Sequence, residues 1–250
     1  MFKRFRIAIL LYILLFVALG EFLAGRRATD WNDSLWVDVY VVNGTGSGAT
    51  QAYIDALEPD AFDGVERFFA EQAASHGLGL AQPFEIRIAG QLEAALPRVP
   101  ENPGMLGAIA FSLEMRWFAT RLHWRTDGAA PDITLFAIYH DADSAVVLDR
   151  STALRKGMLA LANLFASRPA RGGNEVVVAH ELLHTLGATD KYELATGTPI
   201  HPIGFAHPDR KPLYPQTHAE LMAGRIPVDA RVSHMPDSLG KTVIGQGTAI

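Results

Sequence analysis

The sequence predicts a mixed α+β domain of about 200 residues, set behind a short apolar N-terminal segment. Three observations carry that prediction. Short β-branched runs alternate with runs of helical period along residues 35–165. A helix pattern at residues 173–186 then places two histidines on one face of a broad apolar surface. Beyond it the chain turns proline-rich and loses periodicity, as a loop-built second part would.

Composition narrows the function classes. Of 250 residues, 49% are hydrophobic, enough for a sizeable core. The formal net charge is −5 and no basic stripe lies outside the extreme N-terminus, so nucleic acid is not an expected partner. There is no cysteine, which excludes disulfides, a thiol nucleophile, a lipoprotein anchor and Cys-ligated zinc. Any zinc must therefore be held by histidine and carboxylate.

Residues 1–6 form a basic stub with Lys3, Arg4 and Arg6, and residues 7–20 are an uncharged apolar run of 14. That length suits the hydrophobic part of a signal peptide, and Ala18 and Gly20 stand at −3 and −1 of a cleavage after Gly20. Phe22, Leu23 and Ala24 extend the stretch over residues 7–24, enough for a thin bilayer. The reading favours an uncleaved transmembrane helix in the cytoplasmic membrane. The stub stays inside, residues 25–34 form a linker, and residues 35–250 are exported to the periplasm or beyond. Cleavage after Gly20 makes the protein secreted.

Residues 35–42, LWVDVYVV, read as a strand. The glycine loop at 43–48 leads into a helix from about Thr50, with Ser47 or Thr50 as cap. The loop lacks both the G-x-G-x-x-G spacing and a P-loop lysine, so it reads as a turn and not as a phosphate cradle. Residues 61–75 carry Phe62, Val65, Phe68 and Phe69 at helical spacing and end at His76-Gly77. A strand follows at 84–89, then a proline loop at 97–103. The helix at 105–124 is rich in Trp and Arg; it is either a scaffold helix or one that rests on a membrane surface, with His123 exposed. A turn at 127–131 precedes a strand at 133–139. Residues 154–165 suit helix or strand, with Gly157 favouring strand, and 167–173 read as a loop.

Residues 173–190 read GNEVVVAHELLHTLGATD. Asn174 is the expected helix cap, Glu175 lies in the first turn, and Gly187 is a left-handed stop. His180 and His184, four apart, share one helix face and can turn their imidazoles on one ion. Glu181 is close enough to take a proton from water activated there. Past Gly187 the chain can double back, bringing the Asp190 carboxylate to the same ion.

The run HELLHTLGATD resembles the signature of metzincin metalloproteases, with Asp in place of the commoner His, as in snapalysin-type bacterial enzymes. The resemblance implies a zincin domain with a mixed sheet, an active helix and a small C-terminal subdomain, here residues 35–188 and 189–250. It implies one catalytic zinc held by His180, His184 and Asp190, Glu181 as general base, and a protein or peptide substrate. A methionine turn is expected beneath the metal, and AELMAGR at 219–225 supplies Met222 as a structural floor. The strand before the active helix is expected at the sheet edge, where it can pair with substrate; residues 133–139 and 154–165 compete for that role.

Residues 191–218 hold five prolines and should line one cleft wall. His201, His207 and His218 lie within it, and each could replace Asp190, though Asp190 alone has the expected spacing. Tyr192 or Tyr214 could assist the oxyanion. Two other readings compete: a non-catalytic binding module at the envelope, and a zinc hydrolase of a cell-wall amide. The intact Glu181 weighs against the first.

Overall fold

The computed structural model describes residues 5–7, 11–12, 15, 30–93, 95–98, 100, 104–124, 130–143, 151–154 and 158–249. The N-terminal run at 7–24, most of the loop at 97–103 and the turn at 127–131, and Gly157 fall wholly or largely outside them. Among the described residues no helix is long and apolar enough to cross a membrane.

The strands β1 (Leu35–Asn43), β2 (Phe84–Leu92), β3 (Ile133–His140), β4 (Thr152–Leu154) and β5 (Leu159–Phe165) form one sheet in the order β2-β1-β3-β5-β4. Four of them are parallel, and β4 alone runs antiparallel, against β5. Parallel strands need crossovers: helices α1 (Gly48–Asp55) and α2 (Asp63–Ser75) lie between β1 and β2, and α3 (Met105–His123) lies between β2 and β3. Ser47 caps α1, its Oγ accepting from the Thr50 amide at 3.1 Å. The run at 154–165 thus resolves into strand β5 and the end of β4.

Strand alternation sorts the core into two layers. Val37, Val39, Val41, Leu135, Ala137, Ala160, Ala162 and Leu164 point to the face covered by α2 and by α4 (Arg171–Leu186). Tyr40, Phe136, Leu159 and Leu161 point to the opposite face, where α3 supplies Phe111, Met115 and Ala119. Both faces are covered, which is why β1, β3 and β5 read as nearly continuous apolar runs. The outward side of α3 is also apolar: Leu106, Leu113, Trp117 and Trp124 are 81%, 60%, 53% and 73% exposed. Arg121 lies over the Trp117 ring at 5.4 Å.

Three sequence expectations need correction. First, 133–139 is not a sheet edge, because β3 lies between β1 and β5; the other candidate, 154–165, supplies Leu154 to the edge strand β4, which pairs with β5 at Leu159–Leu161, while β2 forms the opposite edge. Second, α4 begins at Arg171, fed by a 3-10 turn at Arg168–Ala170, so much of the expected loop is helical. Gly172 suits this start because a Cβ there would sit 2.3 Å from the Asp237 carbonyl oxygen. Third, Asn174 is no cap. It lies inside α4, takes the Phe165 amide on Oδ1 at 3.0 Å, and donates Nδ2 to the Phe165 carbonyl at 2.8 Å. It thereby completes the end of β5 as a neighbouring strand would, while Glu175 pairs with Arg171 at 3.2 Å.

After α4 the chain forms two-residue strands: β6 (Ala219–Glu220) with β9 (Thr242–Val243), and β7 (Ile226–Pro227) with β8 (Ser233–His234). Glu220 is fully buried and stitches this region together, accepting from the Ala223 and Gly245 amides and the Thr248 hydroxyl. Asn174→Ala strands the two Phe165 backbone groups and should lower stability by about 2–3 kcal/mol in chemical denaturation. A loss under about 0.5 kcal/mol would show that water replaces the side chain.

Candidate metal centre

The centre begins with the period of α4. Four residues make slightly more than one turn, so the His180 and His184 rings meet edge to face with centroids 4.6 Å apart. Each ring is fixed from behind. His180 Nδ1 donates to the Leu221 carbonyl at 2.9 Å, and His184 Nδ1 donates to the Ala188 carbonyl at 2.8 Å. A carbonyl only accepts, so these bonds put the proton on Nδ1 and leave Nε2 as the ligand atom on both rings.

Gly187 ends the helix at φ +103°, with its amide on the His184 carbonyl and that of Ala188 on the Leu183 carbonyl. The reversal brings Asp190 Oδ1 to 3.2 Å from His180 Nε2 and 3.1 Å from His184 Nε2. The three residues offer ligand atoms that all lie within 4.8 Å of one another. Around an ion with bonds of about 2.0–2.1 Å, tetrahedral ligand atoms lie about 3.3 Å apart, so the spacing fits zinc. Two imidazoles and a carboxylate, with side chains only 16–27% exposed, are a donor set that also suits that ion, and three protein ligands would leave a fourth position for water.

The electrostatics favour positive charge at this point. Burial pushes the Asp190 carboxyl up, but where no metal occupies the centre and the two Nε2 atoms carry protons as well, their hydrogen bonds outweigh it and hold the group well below the usual carboxylate range. Burial likewise lowers the His184 pKa, yet the contacts with Asp190 and the Ala188 carbonyl and the charge on Glu181 raise it overall.

Glu181 is buried at 4% exposure and, with His180, lines a cleft of about 750 Å³. Phe165, Val176, Val177, Tyr192, Arg225 and Met235 form other parts of its wall. Tyr192 is therefore in the cleft, whereas Tyr214 packs against Phe205 with centroids 5.9 Å apart. The loop histidines are elsewhere. His201 packs on Phe205, His207 on His218, and none joins the ligand cluster. His123, expected at the surface, is half-buried with Nε2 3.1 Å from Thr134 Oγ1, and burial lowers its pKa.

Met222 is fully buried in the core that holds Leu182 and Leu183, and its carbonyl accepts from the Lys191 amide at 2.9 Å. The turn at 219–225 thus holds His180 through Leu221 and the residue after Asp190 through Met222. Sequence reasoning missed the Leu221 and Ala188 carbonyls, because a backbone acceptor has no side-chain signature. It also passed over Arg225, which stands next to the recognised turn.

Zinc at a thousandfold excess over its dissociation constant should stabilise the protein by about 4 kcal/mol. In thermal unfolding, His184→Ala and Asp190→Ala should each abolish most of that gain, whereas His218→Ala should retain it. Equal zinc stabilisation in all three variants would place the ion elsewhere. No protein-family model matches the chain and no curated protein matches it, so the functional reading rests on this geometry.

Proposed function

We propose that the chain is a zinc-dependent endopeptidase of metzincin-like build. The observation that carries this reading is the convergence of His180, His184 and Asp190 at the side of a cleft that Glu181 also lines. A zinc ion held there would supply a Lewis acid that polarises the scissile carbonyl and acidifies water.

The protein's own residues do the rest. His180 and His184 keep fixed orientations through their Nδ1 bonds, so no reorganisation is needed during reaction. Glu181 accepts a proton from the attacking water as its oxygen bonds to the carbonyl carbon. It then returns that proton to the amine as the C–N bond breaks. Edge strand β4 gives an extended peptide a backbone to pair with, so a substrate could add itself to the sheet beyond β4. Met222 serves as a buried floor and binds no metal.

The same reading places the enzyme at a membrane, tethered by residues 7–24 with the domain exported. The apolar outer side of α3, with Trp117, Trp124 and Arg121, supports it, because such side chains suit the lipid–water boundary.

Glu181→Ala should lower the rate of casein cleavage by at least about a hundredfold while zinc content stays near one per chain. A variant as active as the parent would refute the role given to Glu181. Zinc binding without peptide hydrolysis by the parent would favour a binding module.

A further inference from the structure

The cleft beside His180 and Glu181 is walled largely by apolar side chains, Phe165, Val176, Val177, Met235 and Pro236 among them. Among its described lining residues Arg225 is the only lysine or arginine. It follows Gly224, whose φ of +66° turns the chain out of the methionine turn, and it precedes β7. One guanidinium nitrogen donates to the Ser233 carbonyl at 3.3 Å, tying Arg225 across the β7–β8 pair. Gly197 backs it: a Cβ there would lie 3.5 Å from Arg225 Nε.

No carboxylate among the described residues forms an ion pair with this guanidinium. Two acids line the cleft: Glu181 is the base proposed above, and Asp237 is engaged by Lys241 Nζ at 2.8 Å and by Ser238 Oγ at 3.1 Å. A half-buried, oriented guanidinium with spare donors is suited to a planar bidentate acceptor. In an apolar cleft such a pair discriminates strongly, because a neutral isostere leaves the cation partly desolvated and unpaired.

We infer that Arg225 selects substrates carrying a carboxylate beside the scissile bond. This rests on the endopeptidase reading above and adds a substrate class to it. The carboxylate can belong to an acidic side chain within the substrate or to the terminus of a peptide.

The test uses the detergent-solubilised, zinc-loaded full chain. One pair of end-blocked peptides differs by Glu against Gln next to the cleaved bond. A second pair differs by a free against an amidated C-terminus. The expected result is a kcat/KM ratio of about 10–100 in favour of the carboxylate in at least one pair, as charged hydrogen bonds of this kind give. The pair that responds identifies the source of the carboxylate. Arg225→Met should bring that ratio to about one, and Arg225→Glu should shift preference toward Lys at the same position.

Ratios near one in both pairs for the native chain would overturn the inference, and that measurement needs no variant. If Glu181→Ala still abolished cleavage of those peptides, the peptidase reading would stand without it. Absence of cleavage of every peptide by the native chain would overturn both.

Discussion

Two hydrogen bonds from imidazole to backbone carbonyl constrain the whole centre. Without the bonds to Leu221 and Ala188, each ring could rotate or present either nitrogen, and the ligand atoms would not converge. The two acceptors have different origins. Ala188 is supplied locally by the left-handed stop at Gly187, so the geometry of the second histidine is built into the helix end. Leu221 arrives from a turn beyond a long proline-bearing loop, so the first histidine is oriented only when the whole C-terminal part has folded. Formation of the centre is thereby coupled to tertiary structure.

That coupling explains the density of buried polar contacts around 219–225. Glu220 is a fully buried carboxyl, pushed up in pKa by its burial and partly compensated by the amides and hydroxyl that it accepts from. Such a group costs free energy unless every partner is in place, which restricts the turn to one arrangement. On the other side, α4 lies against β5, where Asn174 locks the strand end to the helix. Helix, strand and turn are thus fixed to one another by a few specific bonds set in an apolar core, and Glu181 faces the cleft from that rigid frame.

Much of this was legible in the sequence. The helices α2 and α3 follow from runs of helical period, and β1 and β3 from short β-branched and aromatic runs that are buried on both faces. His180, Glu181, His184 and Asp190 are legible because their spacing is set by helix pitch and a glycine stop, both local properties. The edge position of β4 was not, since sheet order depends on long-range pairing that no short window encodes. Asn174 misled for a related reason: as an early polar residue it looks like a cap, and only the neighbouring strand end shows what it bonds. The start of α4 was displaced because Gly172 and Gly173 resemble loop, while the close approach of Asp237 that favours glycine at position 172 lies far along the chain.

The most direct test of the account is zinc-edge X-ray absorption on the purified, stoichiometrically loaded protein. A four-coordinate ion with two imidazole nitrogens and oxygen ligands at about 2.0–2.1 Å is the expected result. Asp190→His should convert one oxygen scatterer into a third imidazole. A native spectrum with three imidazoles, or a six-coordinate oxygen shell, would contradict the assignment of Asp190 and the centre built upon it.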